Sequence, residues 1–147
     1  MPFLSSILQL SYHSSVLLDR LSRDVMKEYD ISLYERDVLL FLSSNRIDTA
    51  SDIVKYRMIS KSLVCKAVGS LIAREYLVGE RDENDRRCIH LRITDAGRKV
   101  ADALIETVRQ YYSIITESVP EKEIEGFIAT ADRLRANASN YLSKRSR

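Results

Sequence analysis

Arg81-Asp82-Glu83-Asn84-Asp85-Arg86-Arg87-Cys88-Ile89-His90-Leu91-Arg92-Ile93-Thr94-Asp95-Ala96-Gly97 is the stretch whose reading decides the fold. Its second half sets Cys88, Ile89, Leu91 and Ile93 among His90, Arg92 and Thr94, the two-residue period of a half-buried strand. Its first half, Arg81 to Arg87, is six charged residues and one Asn, which predicts a solvated hairpin tip between that strand and an upstream strand at Tyr76-Leu77-Val78. Two adjacent arginines, Arg86 and Arg87, are thereby expected at the tip of a short β-ribbon.

Immediately upstream, Ser60 to Glu75 reads as a capped amphipathic helix. At about 100° per residue, Lys61, Ser62, Cys65, Lys66 and Gly69 share one face while Val64, Ala67, Val68 and Leu71 share the other. The polar face carries no acidic residue until Glu75. A helix of this kind followed by a basic-tipped ribbon is the winged-helix arrangement, in which one element enters a DNA groove and the other reaches the neighbouring groove.

The remaining chain supports that centre. Leu4 to Tyr29 predicts a long first helix, and Ser32-Leu33-Tyr34-Glu35 matches a capping box opening a second helix to about Ser43. Asn45-Arg46-Ile47-Asp48 is a polar connection. Thr49-Ala50-Ser51-Asp52 starts a short third helix, with Arg57-Met58-Ile59 as the turn of a helix-turn-helix. Thr94-Asp95 begins a long helix to about Glu117, and Pro120 with Glu121 and Glu123 begins a last one. The expected class is mainly α with a small β-ribbon. The expected organisation is one domain over 1–147, with residues 31–99 as the winged helix and 1–30 and 100–147 as end helices. Those end helices carry more apolar stripe than one small winged helix can cover, and pairing with a second copy removes the excess. A symmetric dimer would place two reading heads about one turn of DNA apart.

Composition sets the bounds. A chain of 147 residues with 45% apolar content can bury a core. It contains no run of about 20 apolar residues that would span a membrane, and residues 1–10 lack the pattern of a secretory signal; a cytoplasmic location is expected. The net charge of +2 is unevenly spread: residues 1–54 hold 5 basic and 8 acidic side chains, 55–99 hold 11 and 6, and 100–147 hold 7 and 7. Positive charge therefore collects where the helix and ribbon lie, as a phosphate-binding face requires. Two cysteines, Cys65 and Cys88, and two histidines, His13 and His90, suit neither a disulfide framework nor a metal cluster, so reduced thiols and no cofactor are expected.

The chain resembles the MarR family of bacterial winged-helix regulators over essentially its whole length. Asp85-Arg86-Arg87, the following strand and Ile93-Thr94-Asp95-Ala96-Gly97 are similar to that family's wing signature, with Ile93 standing for the usual Leu. Tyr76 is read as standing where the family has a Gly before the wing strand. The resemblance implies a homodimer held by the end helices, binding double-stranded DNA at a pseudo-palindromic operator and repressing nearby genes. It implies major-groove roles for Ser60, Lys61, Ser62, Cys65 and Lys66, and wing roles for Arg81, Asn84, Arg86 and Arg87, with Asp85 bracing the wing arginines. An inserted Arg suits a narrow minor groove. The resemblance also allows a small aromatic or phenolic effector, for which Tyr12, His13, Tyr111 and Tyr112 would lie on the walls; the competing reading of these rings is core or dimer interface.

Two other functions remain in competition. A winged helix can serve as a protein-interaction module whose basic wing meets an acidic partner. A thiol-based regulator could act through Cys65, whose neighbours Lys61 and Lys66 and whose helix N-terminus favour a thiolate. An enzyme is the weakest reading, since the sequence holds no Gly-rich phosphate loop, no metal cluster and no nucleophile–base arrangement.

Overall fold

The computed structural model of the chain describes residues 2–44, 47–57, 59–85 and 87–145, with the backbone alone at 145. Its elements, in order, are α1 (Pro2–Glu28), α2 (Leu33–Ser44), α3 (Ala50–Arg57), α4 (Lys61–Ala73), β1 (Leu77–Arg81), β2 (Ile89–Ile93), α5 (Asp95–Ile115) and α6 (Glu121–Arg145). The chain divides into two compact units, Met1–Tyr111 and Tyr112–Arg147. Asn45 and Arg46 of the expected connection, Met58 of the expected turn and Arg86 of the expected wing lie outside the described residues.

Local chemistry fixes the helix starts. At α2 the backbone N–H of Ser32 donates to Glu35 Oε2 at 2.7 Å, and the Glu35 N–H donates to Ser32 Oγ at 3.3 Å, the reciprocal pair of a capping box. At α3, Thr49 and Asp52 make the same exchange, with the Asp52 N–H on Thr49 Oγ1 at 3.2 Å and the Thr49 N–H on Asp52 Oδ2 at 3.3 Å. Ser60 caps α4, its hydroxyl accepting from the Leu63 N–H at 3.4 Å. Asp30 and Glu75, with φ of 50° and 58°, end α1 and α4 in the left-handed conformation. Around Glu75 the Tyr76 N–H returns to the Leu71 carbonyl and the Glu75 N–H to that of Ile72, both at 2.9 Å. The residue in a glycine's conformation before the wing is therefore Glu75, next to the Tyr76 that was read as standing where the family has Gly.

The core of the first unit is drawn from the inward faces of α2, α3, α4 and α5 and from one residue of each strand. Val38, Leu39, Ile53, Val64, Leu71, Leu77, Leu91, Val100 and Leu104 are all at most 4% exposed. Helix α1 is fastened to α2 by a charge: the buried Arg36 donates to Asp19 at 2.6 Å and to the Ser22 hydroxyl at 3.0 Å, while its other guanidinium nitrogens reach Asp37. A buried guanidinium requires such complete pairing.

β1 and β2 are antiparallel, with Leu77 opposite Ile93, Gly79 opposite Leu91 and Arg81 opposite Ile89. Arg81 thus ends a strand, where the sequence reading set it in the tip, and Tyr76 and Cys88 lie just outside the ribbon that was expected to include them. The ribbon is rooted by Thr94, whose hydroxyl donates to the Glu75 carbonyl at 2.6 Å and accepts from the Gly97 N–H at 3.1 Å. A Cβ on Gly97 would lie 2.1 Å from the Tyr76 carbonyl oxygen, so the start of α5 packs against the backbone leading into β1 only because that residue is Gly. This is the physical content of the Thr-x-x-Gly helix start.

Candidate nucleic-acid interface

Helix α4 buries Val64, Ala67, Val68 and Leu71 and leaves Ser60, Lys61, Ser62, Cys65, Lys66 and Gly69 exposed. The division follows from the sequence period, and its cause is the core: each apolar residue on the inner face removes surface from water at about 25 cal/mol per Å². The outer face is left to polar residues. Nothing lies within 4 Å of a Cβ built on Gly69, so the helix backbone there is open to close approach.

Two hollows relate this face to the wing. One, of about 160 Å³, is lined by Ala50, Ser51 and Val54 of α3 and by Lys61 and Cys65 of α4. The other, of about 360 Å³, is lined by Thr49, Ala50 and Ser51 together with Asp85, Arg87, Cys88 and Ile89. Ala50 and Ser51 belong to both. Lys61 and Cys65 are thereby joined to Arg87 across the first turn of α3, on one continuous surface. Lys66 sits differently: it lines a hollow of about 260 Å³ with Ser32, Tyr34, Glu35 and Ser70, on the α2 side of α4. Arg81 and Asn84 are exposed on the ribbon and its tip.

The tip is ordered by its acids. Asp82 Oδ1 accepts from the N–H groups of Asn84 and Asp85 at 2.7 and 2.8 Å, and Asp85 Oδ1 accepts from the Arg87 N–H at 3.0 Å. Asp85 thus holds the backbone of Arg87. The tip closes with the Asp82 N–H on the Cys88 carbonyl and the Cys88 N–H on the Asp85 carbonyl. The Asp85 and Asn84 amides and the His90 ring hold the Asp82 carboxyl below its ordinary range. On the ribbon, Arg92 pairs with Glu80 at 2.6 Å.

A residue that sequence reasoning passed over lies under the tip. His90 presents one ring nitrogen to Asp48 at 2.6 Å and the other to Asp82 at 3.2 Å. The adjoining backbone is also paired, Leu91 N–H to the Asp48 carbonyl at 2.8 Å and Thr49 bridging to His90. Both ring nitrogens facing carboxylates is the arrangement of an imidazolium, and the bonds to Asp48 and Asp82 raise the His90 pKa. Only the short polar run before α3 hinted at it, since Asp48 is 42 residues away and Asp82, eight residues away, meets the ring only through the turn of the ribbon.

Neither cysteine is disulfide-bonded. Cys88 is half-buried, and that burial together with Asp82, Asp85, Asp48 and Asp52 pushes its thiol pKa up, the direction opposite to a reactive thiolate. No group of three or more metal-ligating side chains occurs among the described residues.

The chain is similar to known proteins. The MarR family model matches residues 29–87, from the end of α1 through the wing tip. The transcriptional regulator SarA of Staphylococcus aureus (strain Newman) is 30% identical over 108 residues, covering 72% of this chain and 85% of SarA. Among solved structures, a MarR family transcriptional regulator from Silicibacter pomeroyi superposes with a TM-score of 0.76 at 21% identity, covering 92% of this chain and 88% of that one. Bordetella bronchiseptica BpsR, described in terms of regulation of its DNA binding by 6-hydroxynicotinic acid, gives a TM-score of 0.66 at 17% identity over 88% and 98% of the two chains. The structural likenesses give the fold, a mainly helical winged helix-turn-helix with a two-stranded ribbon, and no described helix is long and apolar enough to cross a membrane. Taken with the identity to SarA, they show that the chain belongs to the MarR family of DNA-binding transcriptional regulators.

Proposed function

We propose that the protein is a cytoplasmic homodimeric repressor that reads a pseudo-palindromic duplex, with the N-terminal turns of α4 in the major groove and the wing at the neighbouring minor groove. The observation that carries this reading is the continuous surface from Lys61 and Cys65, across Ala50 and Ser51, to Arg87. Lys61, Ser62 and Lys66 supply donors to phosphates and base edges, Cys65 a small neutral contact, and Ser60 the cap that aims the first turn. Arg87 supplies the wing contact, Arg81, Asn84 and Arg86 are proposed to add to it, and Asp85 fixes the Arg87 backbone. Nothing in this surface suggests catalysis.

The end helices support the dimer. Phe3, Leu4, Leu8 and Tyr12 of α1, Tyr112 of α5, and Phe127 and Ile128 of α6 are all more than half exposed, an unusual amount of apolar side chain for a chain that acts alone. A small aromatic or phenolic acid is the effector class we assign, by likeness to BpsR.

Selection of bound duplexes from randomised DNA tests the reading. A two-fold symmetric motif with half-sites roughly 10 base pairs apart is expected. Its binding should weaken steeply with salt, because each neutralised phosphate releases counterions. Enrichment of no motif, with binding to an acidic protein surface instead, would favour the interaction module.

A further inference from the structure

The wing is a two-stranded ribbon, and isolated two-stranded ribbons are marginal in water. Something must hold its far end to the rest of the winged helix. At the near end this is done by Leu77, Leu91, Thr94 and Gly97. At the far end, beside the backbone pairing of Leu91 and His90 with Asp48 and Thr49, the side-chain contacts converge on one ring: Asp48, on the segment leading into α3, and Asp82, at the base of the tip turn, meet on opposite nitrogens of His90, at 2.6 and 3.2 Å. Asp82 in turn holds the amides of Asn84 and Asp85.

We propose that His90 is a positioning residue for DNA binding: its imidazolium clamps the wing tip to the start of α3, so that the affinity for duplex falls as the ring loses its charge. The inference rests on the DNA-binding reading above. A neutral imidazole carries one N–H and can donate to only one of the two carboxylates, leaving the other facing a ring lone pair. The clamp then opens on one side, either at Asp48, leaving the ribbon held to the start of α3 by the Leu91–Asp48 backbone bond and the Thr49–His90 bridge alone, or at Asp82, loosening the turn that carries Arg87.

The charged and titratable groups around the ring all bear on the proposal. From the α3 side these are Asp48 and, at its first turn, Asp52. From the tip they are Asp82, Asp85 and Cys88, whose sulfur lies 4.0 Å from Nε2. From the ribbon they are Glu80, directly across from His90, and Arg92, which is already paired with Glu80. The balance is acidic, which favours the charged ring. The sign follows: His90 has its pKa raised on folding, so the clamp is complete below the ordinary histidine value of about 6.5 and is lost as pH rises through the higher folded value. Asp82, held low, keeps its charge until well into the acid range, so the clamp works across neutrality.

The test begins with the free protein. In an NMR titration, with His13 as the second imidazole, His90 should titrate above about 6.5. The Asn84 and Asp85 amides should follow the same midpoint, and protection factors of the Leu91 and Cys88 amides should fall above it. Asp48→Asn should lower the midpoint. A duplex of mixed sequence, roughly 25 base pairs long, then reads binding by fluorescence anisotropy. From about pH 6 to pH 9 the Kd of the wild type should rise about threefold to fivefold, the scale of exposed charge pairs. In His90→Gln the rise should be under about twofold, and in Asp48→Asn it should move to lower pH.

Unchanged protection of Leu91 and Cys88 across the His90 midpoint would overturn the clamp and leave His90 as a surface charge only. An equal rise of Kd in the wild type and in His90→Gln would overturn its role in binding. Normal titration with no duplex bound at any pH would overturn the DNA-binding reading and the proposal with it.

Discussion

Helices α4 and α6 are both amphipathic, yet they dispose of their apolar faces in opposite ways. α4 has 13 residues and sets Val64, Ala67, Val68 and Leu71 into the core. α6 has 25 residues, and none of its described side chains is buried, although Phe127, Ile128 and Leu134 lie along it at 59%, 54% and 41% exposure. The apolar face of α4 is satisfied by the chain's own core. That of α6 is left uncovered, which is the ground for the proposed pairing with a second chain. Amphipathicity in a sequence therefore says that a helix has an inside, and the burial in the structure says whose inside it is.

The comparison is broken most severely from the α4 side. Leu71→Ala removes a fully buried side chain from the centre of the core and should lower the unfolding free energy by about 3 kcal/mol, read by denaturant titration. On the α6 side, Phe127→Glu with Ile128→Glu should leave the near-ultraviolet signature of the winged helix intact and weaken self-association about 100-fold in sedimentation equilibrium, the scale of losing interface anchors. If that pair destabilises the chain as much as Leu71→Ala does, the two helices are not different in kind.

A smaller effect comes from the cap between α2 and α4. Burial alone would raise the Glu35 pKa, but the bonds from Ser70, from the Ser32 amide and hydroxyl, and the Arg74 charge together hold it low. Glu35→Ala should cost about 1 kcal/mol at neutral pH, as loss of a helix cap does. Because the folded pKa is lowered from 4.5, this stability is present above that value and is lost as pH falls through the folded value, so wild type and variant should converge in acid. The smallest change has the opposite sign. Gly69→Ala adds a Cβ into open space on the polar face of α4 and should raise stability by about 0.5–1 kcal/mol in thermal melts, while crowding the backbone approach to DNA.

Much of this was legible in the residues because it is local. The Ser32–Glu35 box, the Thr49–Asp52 exchange and the Ser60 cap each operate over three residues, and all three appear where the sequence pattern places them. Burial of Leu77, Leu91 and the inner face of α4 follows from periodicity in the same way. What escaped is what depends on distant partners or on backbone shape. Arg81 looks like part of a charged turn until Ile89 is seen opposite it. The left-handed residue falls at Glu75, and side-chain identity alone did not separate it from Tyr76. His90 is one polar residue in an alternating strand until Asp48, 42 positions earlier, is brought to it. The residues proposed to face DNA share this limit: Lys61 and Lys66 look equivalent on a helical wheel, but the structure puts Lys61 beside α3 and Lys66 beside α2.

The central claim is that α4 and the wing form one DNA-reading surface joined across the start of α3. The most direct measurement is anisotropy of the selected duplex with Lys61→Ala, Arg87→Ala and, as a control on the other unit, Lys122→Ala. The account predicts a loss of about tenfold or more for each of the first two, a shallower salt slope for both, and no change for the third. Equal binding by all three variants and the wild type would contradict it.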